Sequence, residues 1–287
     1  MSGFRFRPAH PRWGLVAFAA ITAMSLAGCN GGSSSIPGFG TNNGFVRFVN
    51  GSPDIGAIDV LIDGNKINTS PLAYGQVTAY QQLSSTGSHA VTINVSGTGT
   101  SVGNIADKPI GANGSTYTSF VLAGELHPVN PADTPNLLQF TDTTYSSSTN
   151  GNVNFHNAAP VLTSSQPSVN FGWYVSTAPT TFTQLGTSEA VGGVTGPQPL
   201  SANAPASAGV GFYAVSASGT GAITTLPSNI DPTGCATNKY PCNSGNLSLY
   251  LIDGPAASTQ PTAGPYPAGI SSTTQAGLVG IFDAQGT

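Results

Sequence analysis

Apolar and polar residues alternate with period two over much of the chain. Ile58, Val60 and Ile62 interleave with Asp59, Leu61 and Asp63, and Val91, Ile93 and Val95 with Thr92, Asn94 and Ser96. Phe45, Arg47 and Val49 oppose Val46 and Phe48 in the same way. An extended chain sends successive side chains to opposite faces, so each run predicts a strand with one face toward a core. Asp63-Gly64 predicts a tight hairpin turn, because glycine tolerates the positive φ such turns need. Strands broken by Gly, Pro and Asn at intervals of roughly 8–15 residues predict an all-β fold of antiparallel sandwiches. No amphipathic helix is expected after residue 29.

The strand pattern occurs twice. Phe45-Val-Arg-Phe-Val-Asn-Gly-Ser-Pro53 returns loosely as Asn152-Val-Asn-Phe-His-Asn-Ala-Ala-Pro160. Tyr117–Gly124 is matched by Leu247–Gly254, and Leu137–Asp142 by Leu278–Asp283. The Ser/Thr/Asn-rich run 143–151 separates the copies. The expected division is a signal at 1–28, a tether at 29–43, one sandwich at 44–143 and a second, diverged sandwich at 151–287.

The N-terminus changes the picture from fold to address. Arg5, Arg7 and Arg12 precede the apolar stretch Trp13–Met24. That stretch is too short to span a bilayer core, which takes about 20 apolar residues, and has the length of a signal-peptide core. Leu26-Ala27-Gly28-Cys29 resembles the bacterial lipobox, which implies cleavage before Cys29 and acylation of its thiol and amino group. Asn30 behind it points to the outer membrane. The Gly/Ser-rich segment that follows is a flexible tether of roughly 20 Å.

Composition narrows the function. Charged residues are 6 % of the 287, with 37 Gly and 22 Pro. A chain that is 39 % hydrophobic is not a charged disordered one. Past the signal, four basic residues (Arg47, Lys66, Lys108 and Lys239) face eleven acids, so nucleic acid is not an expected partner. Membrane contact is expected through the lipid alone. Cys235 and Cys242 form an even pair in an exported chain and are expected to be joined in a disulfide.

A family resemblance follows from four elements in order. They are Val46-Arg-Phe-Val-Asn-Gly-Ser-Pro-Asp54, Asp59-Val-Leu-Ile-Asp-Gly64, Leu72-Ala-Tyr-Gly-Gln-Val-Thr-Ala-Tyr80 and Gly87-Ser-His-Ala-Val-Thr-Ile93. Together, over about residues 45–142, they resemble the bacterial domain-of-unknown-function family 4397. The resemblance implies an exported, Ig-like β-sandwich and no established reaction or ligand. The second module keeps only the strand skeleton: Asp54 has no clear counterpart there.

Residues able to do chemistry are few and scattered. Gly99-Thr-Ser-Val-Gly103 matches the nucleophile-elbow pattern, but that motif needs a strand feeding a helix. Asp54, Asp59 and Asp63 suggest a calcium site, yet Asp59 and Asp63 on one extended face stand about 13 Å apart. His89, His127 and His156 follow no ligand spacing. Tyr74, Tyr80, Trp173, Tyr174, Phe212 and Tyr213 are candidates for a sugar platform, with core packing as the plainer reading. No catalytic residue, metal or cofactor is expected. The functional reading is a lipid-anchored bacterial cell-envelope protein of structural or adhesive type. A carbohydrate- or peptide-binding envelope module is the alternative, with a hydrolase third. The expected partners are the membrane and a glycan or envelope protein.

Overall fold

The computed structural model describes residues 44–83, 87–110, 116–128, 130–142, 152–165, 167–175, 178–199, 210–216, 222–225, 246–258, 260–261, 266, 270, 272 and 275–283. The alternation read from the sequence becomes four four-stranded sheets. In the first half the strands are β1 (Gly44–Asn50), β2 (Ile58–Ile62), β3 (Asn65–Lys66), β4 (Gln81–Leu83), β5 (Gly87–Val95), β6 (Ser101–Ile110), β7 (Thr116–Ala123) and β8 (Asn136–Asp142). In the second they are β9 (Asn152–Ala158), β10 (Val169–Val175), β11 (Ala178–Gln184), β12 (Gln198–Pro199), β13 (Val210–Ser216), β14 (Ala222–Thr225), β15 (Asn246–Asp253) and β16 (Ala276–Asp283).

Strand order is the same in both halves. The sheet β4-β1-β7-β8 corresponds to β12-β9-β15-β16, and β3-β2-β5-β6 to β11-β10-β13-β14. In the first kind of sheet the central pair is parallel, β1 with β7 and β9 with β15. Every other pairing is antiparallel. The Asp63-Gly64 turn has φ of 49° and 78°, positive at both central residues as the tightest hairpins require.

Each pair of sheets closes over its own core. Val46, Phe48, Phe120 and Leu122 pack on Ile58, Val60, Ile62, Val91 and Ile93. Phe155, Leu247, Leu249 and Leu251 pack on Val169, Phe171 and Leu185. A third core lies between the halves. Val49, Val121, Ala123 and Phe140 of one sheet meet Ala158, Tyr250, Ile252 and Val279 of the other. The layers therefore stack in the order β2 sheet, β1 sheet, β9 sheet, β10 sheet. A side chain does not fit at Gly51, where a Cβ would stand 2.8 Å from Ile252 and 2.9 Å from the Leu122 carbonyl oxygen.

One expectation is corrected: the sandwiches are not antiparallel throughout, since β1 with β7 and β9 with β15 run parallel. A short helix follows the second β1-like strand: α1, Pro160–Ser165. Its six residues are under two turns, too short for an apolar period of 3.6 to show.

Candidate functional site

The faces of β1 and β7 that turn away from the first core carry Arg47 and Ser119, which are neighbours in register. Across the boundary, β9 and β15 present His156, Ser248 and Tyr250. All five are buried, with Arg47 and His156 fully so. They build one polar network inside the third core.

Arg47 is held on every side. Its Nε donates to Ser119 Oγ at 2.7 Å and its Nη2 to Ser248 Oγ at 2.6 Å, so one guanidinium bridges both halves. Nη2 also lies 3.5 Å from Asp142 Oδ2. The guanidinium carbon sits 4.0 Å from the Tyr80 ring centre and 5.4 Å from that of Tyr250. Cation–π contacts of this kind partly replace the water the charge has lost.

Asp142, at the end of β8, collects the donors. Its Oδ2 accepts from Tyr80 Oη and Ser119 Oγ, each at 2.5 Å, and its Oδ1 lies 2.5 Å from His156 Nε2. Ser119 spends its one proton on Asp142, so the Tyr250 hydroxyl 2.7 Å away donates to Ser119. Burial alone pushes the Asp142 carboxyl up. The charge and hydrogen bond of His156, with Arg47 and Ser119, outweigh it and hold the group far below the usual carboxylate range.

A second polar group lies where the loops of both halves meet. Asp54 Oδ1 accepts from Leu126 N–H at 2.8 Å and Asp54 Oδ2 from His127 N–H at 2.9 Å, tying the loop after β1 to the loop after β7. In the second half the roles are exchanged. Asp253, at the end of β15, accepts from Val161 and Leu162 N–H at 3.2 and 3.1 Å and so caps α1 from across the sheet. Tyr74 of the first half donates to the Asp253 carbonyl at 2.7 Å. Glu125 is buried beside them with its Oε1 unpartnered. Burial, then the charges of Asp54 and Asp133, push the Glu125 carboxyl up to about 7. Burial likewise pushes Asp253 up to about 7, with Glu125 and Asp133 adding to it against the two N–H bonds.

The residues singled out from sequence are dispersed. Asp59 pairs with Lys66 at 2.8 Å and Asp63 with His89 at 2.6 Å, while Asp54 serves the loop contact above. Among the described residues no group of three or more His, Cys, Asp or Glu is placed to hold a metal ion. Ser101 of the elbow-like motif opens β6 opposite Asn94 in a hairpin, not a strand-to-helix turn. Tyr74 is buried and Tyr80 lies on Arg47, so neither belongs to an open aromatic platform. Trp173 and Phe212 are paired across β10 and β13, and Tyr213 stands opposite Gly172. Cys29, Cys235 and Cys242 lie outside the described residues.

Sequence reading missed a correspondence between the halves. Ala73-Tyr-Gly-Gln-Val-Thr78 and Ala190-Val-Gly-Gly-Val-Thr195 make the same bonds. Thr78 Oγ1 accepts from Phe48 N–H and Thr195 Oγ1 from Phe155 N–H, at 3.0 and 3.1 Å. Gly75 N–H donates to the Asn50 carbonyl and Gly192 N–H to that of Asn157, at 2.7 and 2.9 Å. The shared Ala-x-Gly-x-Val-Thr was the available signal.

Residues 44–164 match the model of a family described as a domain of unknown function, DUF4397. The match covers the first pair of sheets and runs on through β9 into α1. No curated protein matches the chain.

Proposed function

We propose that this chain is a lipid-anchored bacterial envelope protein whose role is structural or adhesive and whose second half is a diverged copy of the first. The observation that carries the structural part is how its reactive side chains are used. Arg47, Asp142 and His156 bind one half to the other inside a buried interface. Asp54 and Asp253 hold loops, and His89 holds a hairpin. Such groups fix geometry, which suits a stiff element standing off a membrane on a flexible tether. Leu26-Ala-Gly-Cys29 supports the anchor, and two or three acyl chains give stable attachment where one is marginal. An outer-membrane address and a Cys235–Cys242 disulfide belong to the same reading.

Metabolic palmitate labelling of wild type and Cys29→Ser in a bacterial host tests the anchor. Wild type should carry label at the processed mass and sediment with membranes. Cys29→Ser should accumulate as an unlabelled precursor. Unlabelled wild type at the processed mass overturns the reading.

A further inference from the structure

We infer that the docking of the two halves is proton-linked: His156 spans the interface with protons on both ring nitrogens, and loss of one proton releases the contact. Two acceptors face the ring. Nδ1 lies 2.9 Å from the Leu249 carbonyl oxygen, which has lone pairs only, so Nδ1 carries a proton. Nε2 lies 2.5 Å from Asp142 Oδ1, so a second proton must sit between that nitrogen and that oxygen. Its place follows from the rest of the carboxylate. Oδ2 already accepts from Tyr80 and Ser119 and faces Arg47, a set of donors that favours ionised Asp142 and leaves the proton on the imidazole.

Two aromatic rings pack against the imidazole. Tyr250 from β15 stacks on it, with ring centres 4.4 Å apart, and Phe140 from β8 meets it edge-on at 5.1 Å. Among the described residues the other charges of this network are Asp142 from β8 and Arg47 from β1, 3.5 Å apart. The closed interface thus holds two cations around one carboxylate. Asp142 belongs to the β1 sheet and His156 to the β9 sheet, so the proton lies on the boundary itself. Removing it would set a ring lone pair against a carboxylate oxygen where both residues are buried. A buried polar atom without its partner is costly, and parting the sheets to admit water relieves that cost.

The test uses the full chain and two readouts. The first is the ring nitrogen-15 spectrum of wild-type His156 at neutral pH. Two protonated ring nitrogens are expected, and one bare nitrogen overturns the inference. The second is thiol labelling of Val121→Cys, a position buried in the third core, located by peptide mass. Labelling is compared in the presence of native His156 and of His156→Gln, which keeps a donor toward Asp142 but does not titrate. Above about pH 7, where an imidazole in water is neutral, the ratio of the two rates should climb by up to about tenfold per pH unit for as long as the docked ring keeps its second proton, and level off once it is lost. A ratio that stays constant overturns the inference. If the cysteine variant fails to fold, the nitrogen spectrum of the wild type decides alone.

Discussion

Asp142 is the residue on which the interface converges, and the cost of losing its charge follows from what would remain. Asn at this position keeps the shape but leaves Arg47 and His156 as buried cations with no anion between them. Breaking one partner out of a buried charged set costs about 3–5 kcal/mol. Asp142→Asn should therefore lower the midpoint of urea unfolding by that much stability at unchanged slope; an effect below about 1 kcal/mol would mean the network is solvated. Arg47 was legible as the polar member of an alternating strand, and Asp142 as the last residue of a repeated strand. Their meeting was not legible. It joins β1, β8 and β9 across two sheets, and no spacing along one strand encodes which residues face each other between sheets. For the same reason His156 read as an isolated histidine.

At the scale of elements, α1 shows how a short segment is fixed from a distance. Its first N–H groups have no partner within the helix, and Asp253 supplies one from the end of β15. Losing such a cap costs about 0.5–2 kcal/mol. In Asp253→Ala the Val161 and Leu162 amides should exchange hydrogen faster while the β9 amides keep their protection. Equal protection in the variant would remove Asp253 as the cap. The hairpin at Asp63-Gly64 was readable because its requirement, two residues at positive φ, is local. The helix was not, because its cap lies far along the chain from it. The two Ala-x-Gly-x-Val-Thr segments lie between these cases. Their bonds are local enough to leave a sequence trace, but Tyr74 and Gln76 are replaced by Val191 and Gly193, so only Ala, Gly, Val and Thr remain in common.

The described residues form a stack of four sheets, and the two inner sheets are covered on both faces. That is why Phe120-Val-Leu-Ala123 and Leu249-Tyr-Leu-Ile252 are continuously apolar where outer strands alternate. Alternation made the sandwiches legible; the same apolar runs also carried the stacking, which period-two reasoning passes over. Where the stack's loops meet, Glu125 of one half and Asp253 of the other are both pushed up to about 7. Burial is the main cause; the charges of Asp54 and Asp133 add to the rise at Glu125, and those of Glu125 and Asp133 to the rise at Asp253. A carboxyl whose pKa is higher folded than unfolded binds its proton more tightly in the folded chain. The stability it contributes is complete below the unfolded pKa, at 4.5 for Glu125 and 3.8 for Asp253, and is lost as pH rises through about 7. Asp142 acts in the opposite sense, its contribution falling away only in strong acid. Thermal stability should thus be greatest at about pH 4, decline from there to about neutrality and level off above it. Glu125→Gln, neutral at every pH and close in shape, should flatten that decline and raise Tm most on the alkaline side. A variant whose Tm runs parallel to the wild type across this range would show that Glu125 does not titrate in the folded chain with the shifted affinity its burial imposes.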